Sequence, residues 1–376
     1  MGGPLTTEAH PTPAEPTTPL RIGVVGAGVI SRAYLGHLDD HGRAAGLALT
    51  AVADLDPERA AKAAAGRRGV RALTPDELYA AEDVDLVLNL TVPAVHADVA
   101  LAAIAAGKHV YNEKPLAPDR ESGAAVLAAA RAAGVRVGCA PDTVLGRGVQ
   151  TARAAVAAGH IGQPVAATAF FTSPGHEAWH SDPEFYYRPG GGPLLDMGPY
   201  YLSALVHLLG PITAVTGAAS RATERRTIGS GPRAGHSFPV EVDTHVTGVL
   251  SHTSGALTTL LMSFDTHAAH LPRIEVHGTG GSLSVPDPNN FEGPVALHPA
   301  GAGEWRELPP SAGYAVSGRG VGLADMARAL RTGTAHRASG ELGLHVLEAM
   351  EALLESAATG RRVEVNADCP VPPAVD

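Results

Sequence analysis

The chain has 376 residues, 45% of them hydrophobic and only 4% aromatic, with a formal charge of -10 at pH 7. That length fits two domains better than one, because single cores stop growing below it. The acidic balance and the absence of any Lys/Arg block exclude a nucleic-acid partner, and no apolar run reaches membrane-spanning length. Two cysteines, Cys139 and Cys369, are too few for a disulfide scaffold or a Cys-based zinc site.

Residues 1–19, rich in Pro, Thr and Glu, have neither a charged start nor an apolar stretch. They read as a flexible tail and not as an export signal, so a cytoplasmic protein is expected.

Residues 20–142 alternate strand and helix. Short β-branched runs at Leu20–Val25, Leu47–Ala53, Asp85–Thr91, His109–Tyr111 and Val135–Ala140 have the character of buried parallel strands. Thr74-Pro75-Asp76-Glu77 is a capping box with proline at the first helical position, and Gly107 and Gly134 close alanine-rich helices. The repeated β-α units predict a doubly wound parallel sheet of the Rossmann type.

The first strand runs into Gly26-Ala27-Gly28-Val29-Ile30-Ser31, which opens a helix. Gly26 permits a tight turn, Gly28 lets backbone approach a pyrophosphate, and the helix start offers free N–H groups. Ser31 stands where a third glycine would give closer helix–strand packing. Asp54 ends the second strand at the spacing of an acid that binds a ribose hydroxyl pair. This order predicts a dinucleotide, with Asp54 favouring NAD; Arg32 and Arg59 leave NADP open. Farther along, Thr91, Pro93 and His96 follow a strand on the ligand-binding carboxyl edge. His96 either packs against the cofactor or caps the next helix.

The only lysines are Lys62, Lys108 and Lys114 among 28 basic residues. Lys114 lies in Glu113-Lys114-Pro115 at the mouth of a predicted strand. A compact ammonium kept there in an arginine-rich chain suits proton transfer or an alkoxide, which a guanidinium serves poorly.

Residues 143–376 read as an α+β domain. A helix at Gly148–Ala158 precedes a strand near Val165–Thr172, then a Pro/Gly/His/Tyr loop and a helix over Gly192–Leu209. Alternating runs at Ile212–Ala219, Val242–Ser251 and Ala256–Phe264 predict an antiparallel sheet, and Arg221–Gly235 reads as a mobile loop. Leu342, Val346, Ala349, Leu353 and Ala357 form the stripe of a late amphipathic helix ending at Gly360. In Gly190–Tyr200, Asp196 and Tyr200 lie four apart and share one helix face.

These segments resemble the glucose–fructose oxidoreductase / inositol dehydrogenase / rhizopine-catabolism (Gfo/Idh/MocA) family over nearly all of Arg21–Val365. The resemblance rests on Gly26–Ser31, on Ala-Gly-Lys-His-Val with Glu113-Lys114-Pro115, and on Gly-Gly-Gly-Pro-Leu-Leu-Asp at Gly190–Asp196. It implies that Lys114 and Asp196 line a substrate pocket beside the nicotinamide, with Glu113 at the cofactor. It also implies an open, mostly antiparallel second sheet that builds a homodimer or homotetramer. Many members carry histidine where this chain has Tyr200, as in the glucose–fructose oxidoreductase branch, so either Tyr200 or Lys114 carries the proton. The expected reaction is reversible hydride transfer between NAD and a secondary alcohol of a sugar, inositol or related polyol. An NAD-dependent glycosidase using transient oxidation and a non-catalytic dinucleotide sensor are the rival readings.

Trp179, His180 and Tyr186, in the aromatic loop Ser173–Pro189, are candidate contacts for a sugar-like substrate. Arg319 is another, and His336 and Arg337 are weighed as surface residues that could reach the pocket. His176-Glu177-Ala178-Trp179-His180 matches His-Glu-x-x-His, but Pro174-Gly175 and Pro183 leave no room for the helix that zinc chemistry needs, so no metal is expected. Cys139 reads as a small buried residue and His207 as a core or capping one.

Overall fold

The computed structural model describes residues 18–375. The expected tail lies outside them except for Thr18 and Pro19. Six strands, β1 (Leu20–Val25), β2 (Leu47–Ala53), β3 (Arg71–Leu73), β4 (Leu86–Asn89), β5 (His109–Asn112) and β6 (Val137–Cys139), form one parallel sheet in the order β3-β2-β1-β4-β5-β6. β1 and β4 are neighbours across the point where strand order reverses, which opens a crevice beyond Val25 and Asn89. Only β3 escapes the sequence pattern, because three largely exposed residues carry no apolar signature.

Helices α1 (Ser31–His37), α2 (Arg43–Ala45), α3 (Pro57–Ala64), α4 (Pro75–Ala80), α5 (His96–Ala105) and α6 (Arg120–Ala133) connect these strands. α1 and α2 are joined through a π-helical stretch, Leu38–Gly42. The capping box forms as read: Glu77 N donates to Thr74 Oγ1, and Thr74 N to the Glu77 carboxylate.

After α7 (Arg147–Ala157), a nine-stranded sheet is built from β7 (Pro164–Thr172), β8 (Ile212–Ser220), β11 (His245–His252), β12 (Leu257–Ser263), β13 (Ile274–Gly278), β14 (Gly281–Val285), β15 (Val295–Pro299), β16 (Arg306–Leu308) and β17 (Val363–Glu364). All its pairs are antiparallel except β7 with β12. α8 (Pro193–Leu209) and α10 (Gly340–Thr359) pack on one of its faces, and α9 (Val321–Thr332) closes back toward β6. Close packing explains two glycines: a Cβ on Gly217 or Gly248 would strike Leu353 of α10 at 2.7 and 2.6 Å.

The Arg221–Gly235 reading needs correction. Part of it is β9 (Arg225–Thr227), which pairs with β10 (Ser237–Pro239) as a separate ribbon. Arg226 pins that ribbon, donating to Glu177 at 2.6 Å and to Asp265. A three-residue strand is too short to show a period of two, so composition alone made it look like a loop.

Candidate active site

The glycine turn is built as its residues require. Gly26 has φ +99°, and a Cβ there would sit 2.8 Å from the Leu90 backbone, so β1 and β4 approach closely only with glycine. A Cβ on Gly28 would meet nothing within 4 Å, which leaves open space over the turn and the start of α1. Asp54 accepts hydrogen bonds from Ala27 N (2.7 Å) and Asp56 N (2.9 Å), fixing the turn after β2 to the turn after β1. Ser31, buried at the start of α1, donates to the Gly28 carbonyl at 2.7 Å.

Val29, Leu55 and Val92 are 84%, 92% and 64% exposed, on the turns that follow three adjacent strands. Single exposed apolar residues need no explanation, but three along one sheet edge do. They offer flat apolar contact to the rings of a dinucleotide, so the residues present fit NAD.

Lys114 follows β5 on the same edge. Its Nζ donates to Asp196 Oδ1 (2.8 Å) and to the Asp196 carbonyl (2.7 Å), joining the first sheet to the first turn of α8. Tyr200 lies one turn farther along α8, with Lys114 Nζ 5.3 Å from its ring centroid. Arg319, from the loop before α9, lies over the same ring at 5.1 Å and is steadied by Asn289 Oδ1 at 2.8 Å. Lys114, Asp196, Tyr200 and Arg319 therefore stand in one cluster.

Burial opposes the charge on Lys114, but Asp196, Tyr200 and Glu113 outweigh it and hold the ammonium above its usual range. Burial likewise pushes Asp196 up, while Lys114 and His176 hold its carboxyl well below the ordinary carboxylate range. For Tyr200 burial wins: the phenol is raised despite Lys114 and Arg319. Lys114 does favour the phenolate, but burial outweighs it.

His176 is the residue that sequence reasoning missed, since it was noted only within a zinc-like pattern that was set aside. Its Nε2 donates to Asp196 Oδ2 at 2.8 Å, so the aspartate bridges Lys114 and an imidazole. The zinc-like motif is one 3-10 turn, His176–Ala178, and His180 turns its Nδ1 to the Asp182 amide (3.0 Å). Among the described residues no cluster of three metal-ligating side chains occurs. A signal existed in Pro174-Gly175: Gly175 takes φ +106° so that the loop can turn His176 inward.

Other residues do different work than expected. Glu113 is buried and committed to protein groups, accepting from Tyr34 Oη (2.8 Å) and Lys114 N (2.8 Å); it braces α1 against the lysine turn. His96 is 0% exposed, so it cannot touch a cofactor. Its ring lies between the carbonyls of Pro115 (2.6 Å) and Thr91 (3.1 Å), tying those two turns together. Thr91 is half-buried and bonded to Asn89, whereas Pro93 is exposed at the crevice. Ile30 is partly exposed beside Val29. His336 bonds to Val137 O and Arg337 is buried against Asp325, so neither reaches the pocket. Cys139 and His207 are buried, as read.

In the aromatic loop, Tyr186 packs 4.4 Å from the His176 ring, and burial with Asp196 nearby pushes its phenol up to about 12. Trp179 lies 5.2 Å from that imidazole and is 61% exposed. Both therefore stand beside the Lys114–Asp196 pair.

Residues 20–140 match the model of an oxidoreductase family with an NAD-binding Rossmann fold, and residues 149–284 match the GFO/IDH/MocA C-terminal domain. The chain belongs to the Gfo/Idh/MocA oxidoreductase family. It is 31% identical to the 1,5-anhydro-D-fructose reductase of Ensifer adhaerens over 92% of this chain and 98% of that protein. It is 26% identical to the inositol 2-dehydrogenase of Rhizobium meliloti over 92% and 99%. A crystal structure of an NAD-binding oxidoreductase from Klebsiella pneumoniae superposes with a TM-score of 0.78 at 27% identity, covering 93% of this chain and 100% of the other. This Gfo/Idh/MocA member is thus an NAD-binding oxidoreductase of the sugar and polyol class. Its named relatives are dehydrogenases and reductases, so the glycosidase and sensor readings gain no support.

Proposed function

We propose that the protein oxidises a secondary hydroxyl of a cyclic sugar or polyol, reversibly, at the Lys114–Asp196 pair. Bound NAD supplies the hydride acceptor, and the protein supplies alignment, charge and proton movement. Gly26, Gly28, Val29, Asp54 and Pro93 are the residues that would hold it. The observation that carries this reading is one ammonium on the carboxyl edge, fixed by Asp196 and adjoining a phenol. Lys114 holds its charge against the oxygen that becomes carbonyl, stabilising negative charge as it develops there. In the reductive direction Tyr200, a neutral phenol, or the Lys114 ammonium gives its proton to the forming hydroxyl; in oxidation the same group, once it has released its own proton to solvent, takes up the hydroxyl proton. Asp196 orients the ammonium. In this reading residues 20–142 carry the cofactor, and 143–376 carry the substrate loop and the contact between copies.

Lys114→Met tests it. Turnover across a panel of sugars and inositols should fall by at least about 10²–10³, while NADH binding, followed by its fluorescence, stays close to wild type. Normal turnover in this variant would refute the assignment.

A second part of the proposal concerns assembly. β7, β8, β11 and β12 turn Thr168, Phe170, Thr216, Val249, Leu257 and Leu261 away from α8 and α10, and registered neighbours place them on one face. No Asp, Glu, Lys or Arg occurs in these four strands. A sheet face left to water normally carries charge, so this uncharged four-strand stretch, bordered by Glu275 of β13 beside Thr168, fits a second copy of the chain in a homodimer or homotetramer.

A further inference from the structure

Of the chain's eight tyrosines, six phenylalanines and two tryptophans, four rings fall within residues 173–189. Tyr187 is fully buried against Phe238 and Phe264, as a packing residue should be. Trp179 and Phe185 are not: they are 61% and 52% exposed. They also belong to a continuous strip of rings. Trp179 lies 5.3 Å from His180, His180 lies 5.5 Å from Phe185, and Phe185 lies 4.0 Å from Tyr186, which leads back to His176.

The strip is held in place although its outer end faces water. Glu177 is tied to Arg226 at 2.6 Å and receives the Gly229 amide on its carbonyl at 2.8 Å, and Arg233 bridges Asp182 and Glu184. Anchored exposed aromatics beside a polar centre form a preorganised stacking platform, since ordering the rings costs little when a ligand arrives. The inner rings, His176 and Tyr186, adjoin Asp196 and flank the group being oxidised. Trp179, 5.2 Å from the His176 ring, and Phe185, 4.0 Å from the Tyr186 ring, adjoin these inner rings and carry the strip out to the exposed surface.

We propose that Trp179 and Phe185 form an outer subsite for a second ring, glycosidically joined to the sugar that is oxidised, so that the preferred substrate is a glycoside. This rests on the function proposed above. The second ring presents a flat apolar face, either the C–H face of another sugar or an aryl group.

The test compares methyl glucoside, phenyl glucoside and cellobiose, each with NAD. In wild type, kcat/KM for phenyl glucoside or cellobiose should exceed that for methyl glucoside by roughly tenfold, a gain within the range of one stacked ring. In Trp179→Ala and Phe185→Ala that ratio should collapse to near one. A binding arm needs no turnover: Trp305→Phe leaves Trp179 as the sole tryptophan, and phenyl glucoside should quench its fluorescence. Quenching without turnover of any sugar would keep the subsite and sink the oxidoreductase assignment of the pair. Equal wild-type kcat/KM for phenyl and methyl glucosides, without quenching, overturns the subsite. So does a shift of oligomeric state in Trp179→Ala with the ratio unchanged, which would assign the strip to contact between copies.

Discussion

Asp196 accepts from Lys114 on one carboxylate oxygen and from His176 on the other. Each donor holds the carboxyl below its usual range, so the group stays ionised through the neutral region. Removing His176 takes away one hold, and the carboxyl must rise toward its ordinary value. A hydrogen bond to a charged group of about 1.5 kcal/mol corresponds to about one pH unit. His176→Ala should therefore leave the carboxyl ionised at neutral pH but loosen its hold on Lys114, lowering kcat/KM by about tenfold. An unchanged kcat/KM would mean that the imidazole merely fills space.

Lys114, Asp196 and Tyr200 were legible because strand ends and helix spacing place them without reference to distant contacts. His176 was not legible in the same way. Its bond to Asp196 reaches twenty residues along the chain, through loop and short 3-10 turns into α8, and its local pattern matched only a zinc motif that the flanking prolines rule out.

At the scale of elements, the β9–β10 ribbon decides where the substrate loop stands. Arg226 is nearly buried between Glu177 and Asp265, with side-chain exposures of 10%, 13% and 13%. Its guanidinium also lies 5.2 Å from the Tyr187 ring. Breaking such a pair strands two acids away from water, at a cost of about 3–5 kcal/mol. Arg226→Met should lower the melting temperature and, by loosening Glu177, raise KM for sugars more than for NAD. Unchanged thermal unfolding would show that water already relieves the acids. Short pairings of this kind, β3 among them, leave no periodic trace in sequence. By contrast the antiparallel β11–β12 pair was read directly from the alternating runs Val242–Ser251 and Ala256–Phe264, and Gly255 takes φ +86° in the turn between them.

Across the whole molecule, the two sheets differ in how their faces are covered, and that difference sets the last expectation. The parallel sheet is dressed by its own connecting helices, as βαβ units require. The antiparallel sheet has α8 and α10 on one face only, and the alternation of its strands shows this in sequence: Val246, Leu250, Leu260 and Met262 are buried, whereas Val249 and Leu257 are 43% and 51% exposed. What covers the second face is not encoded in alternation, because Thr, Val and Leu suit either solvent or a partner. The absence of charge across four strands tips the balance toward a partner. Leu261 stands opposite Phe170 on β7 and Thr247 on β11, near the middle of that face. If a second copy covers this face as proposed, an arginine there would bury an unpaired charge in the contact, which is costly. Leu261→Arg should thus yield a smaller species by light scattering at micromolar concentration, with NADH binding retained because the cofactor crevice lies in the other sheet. A variant that keeps the wild-type mass would place the contact between copies elsewhere, or show that none forms.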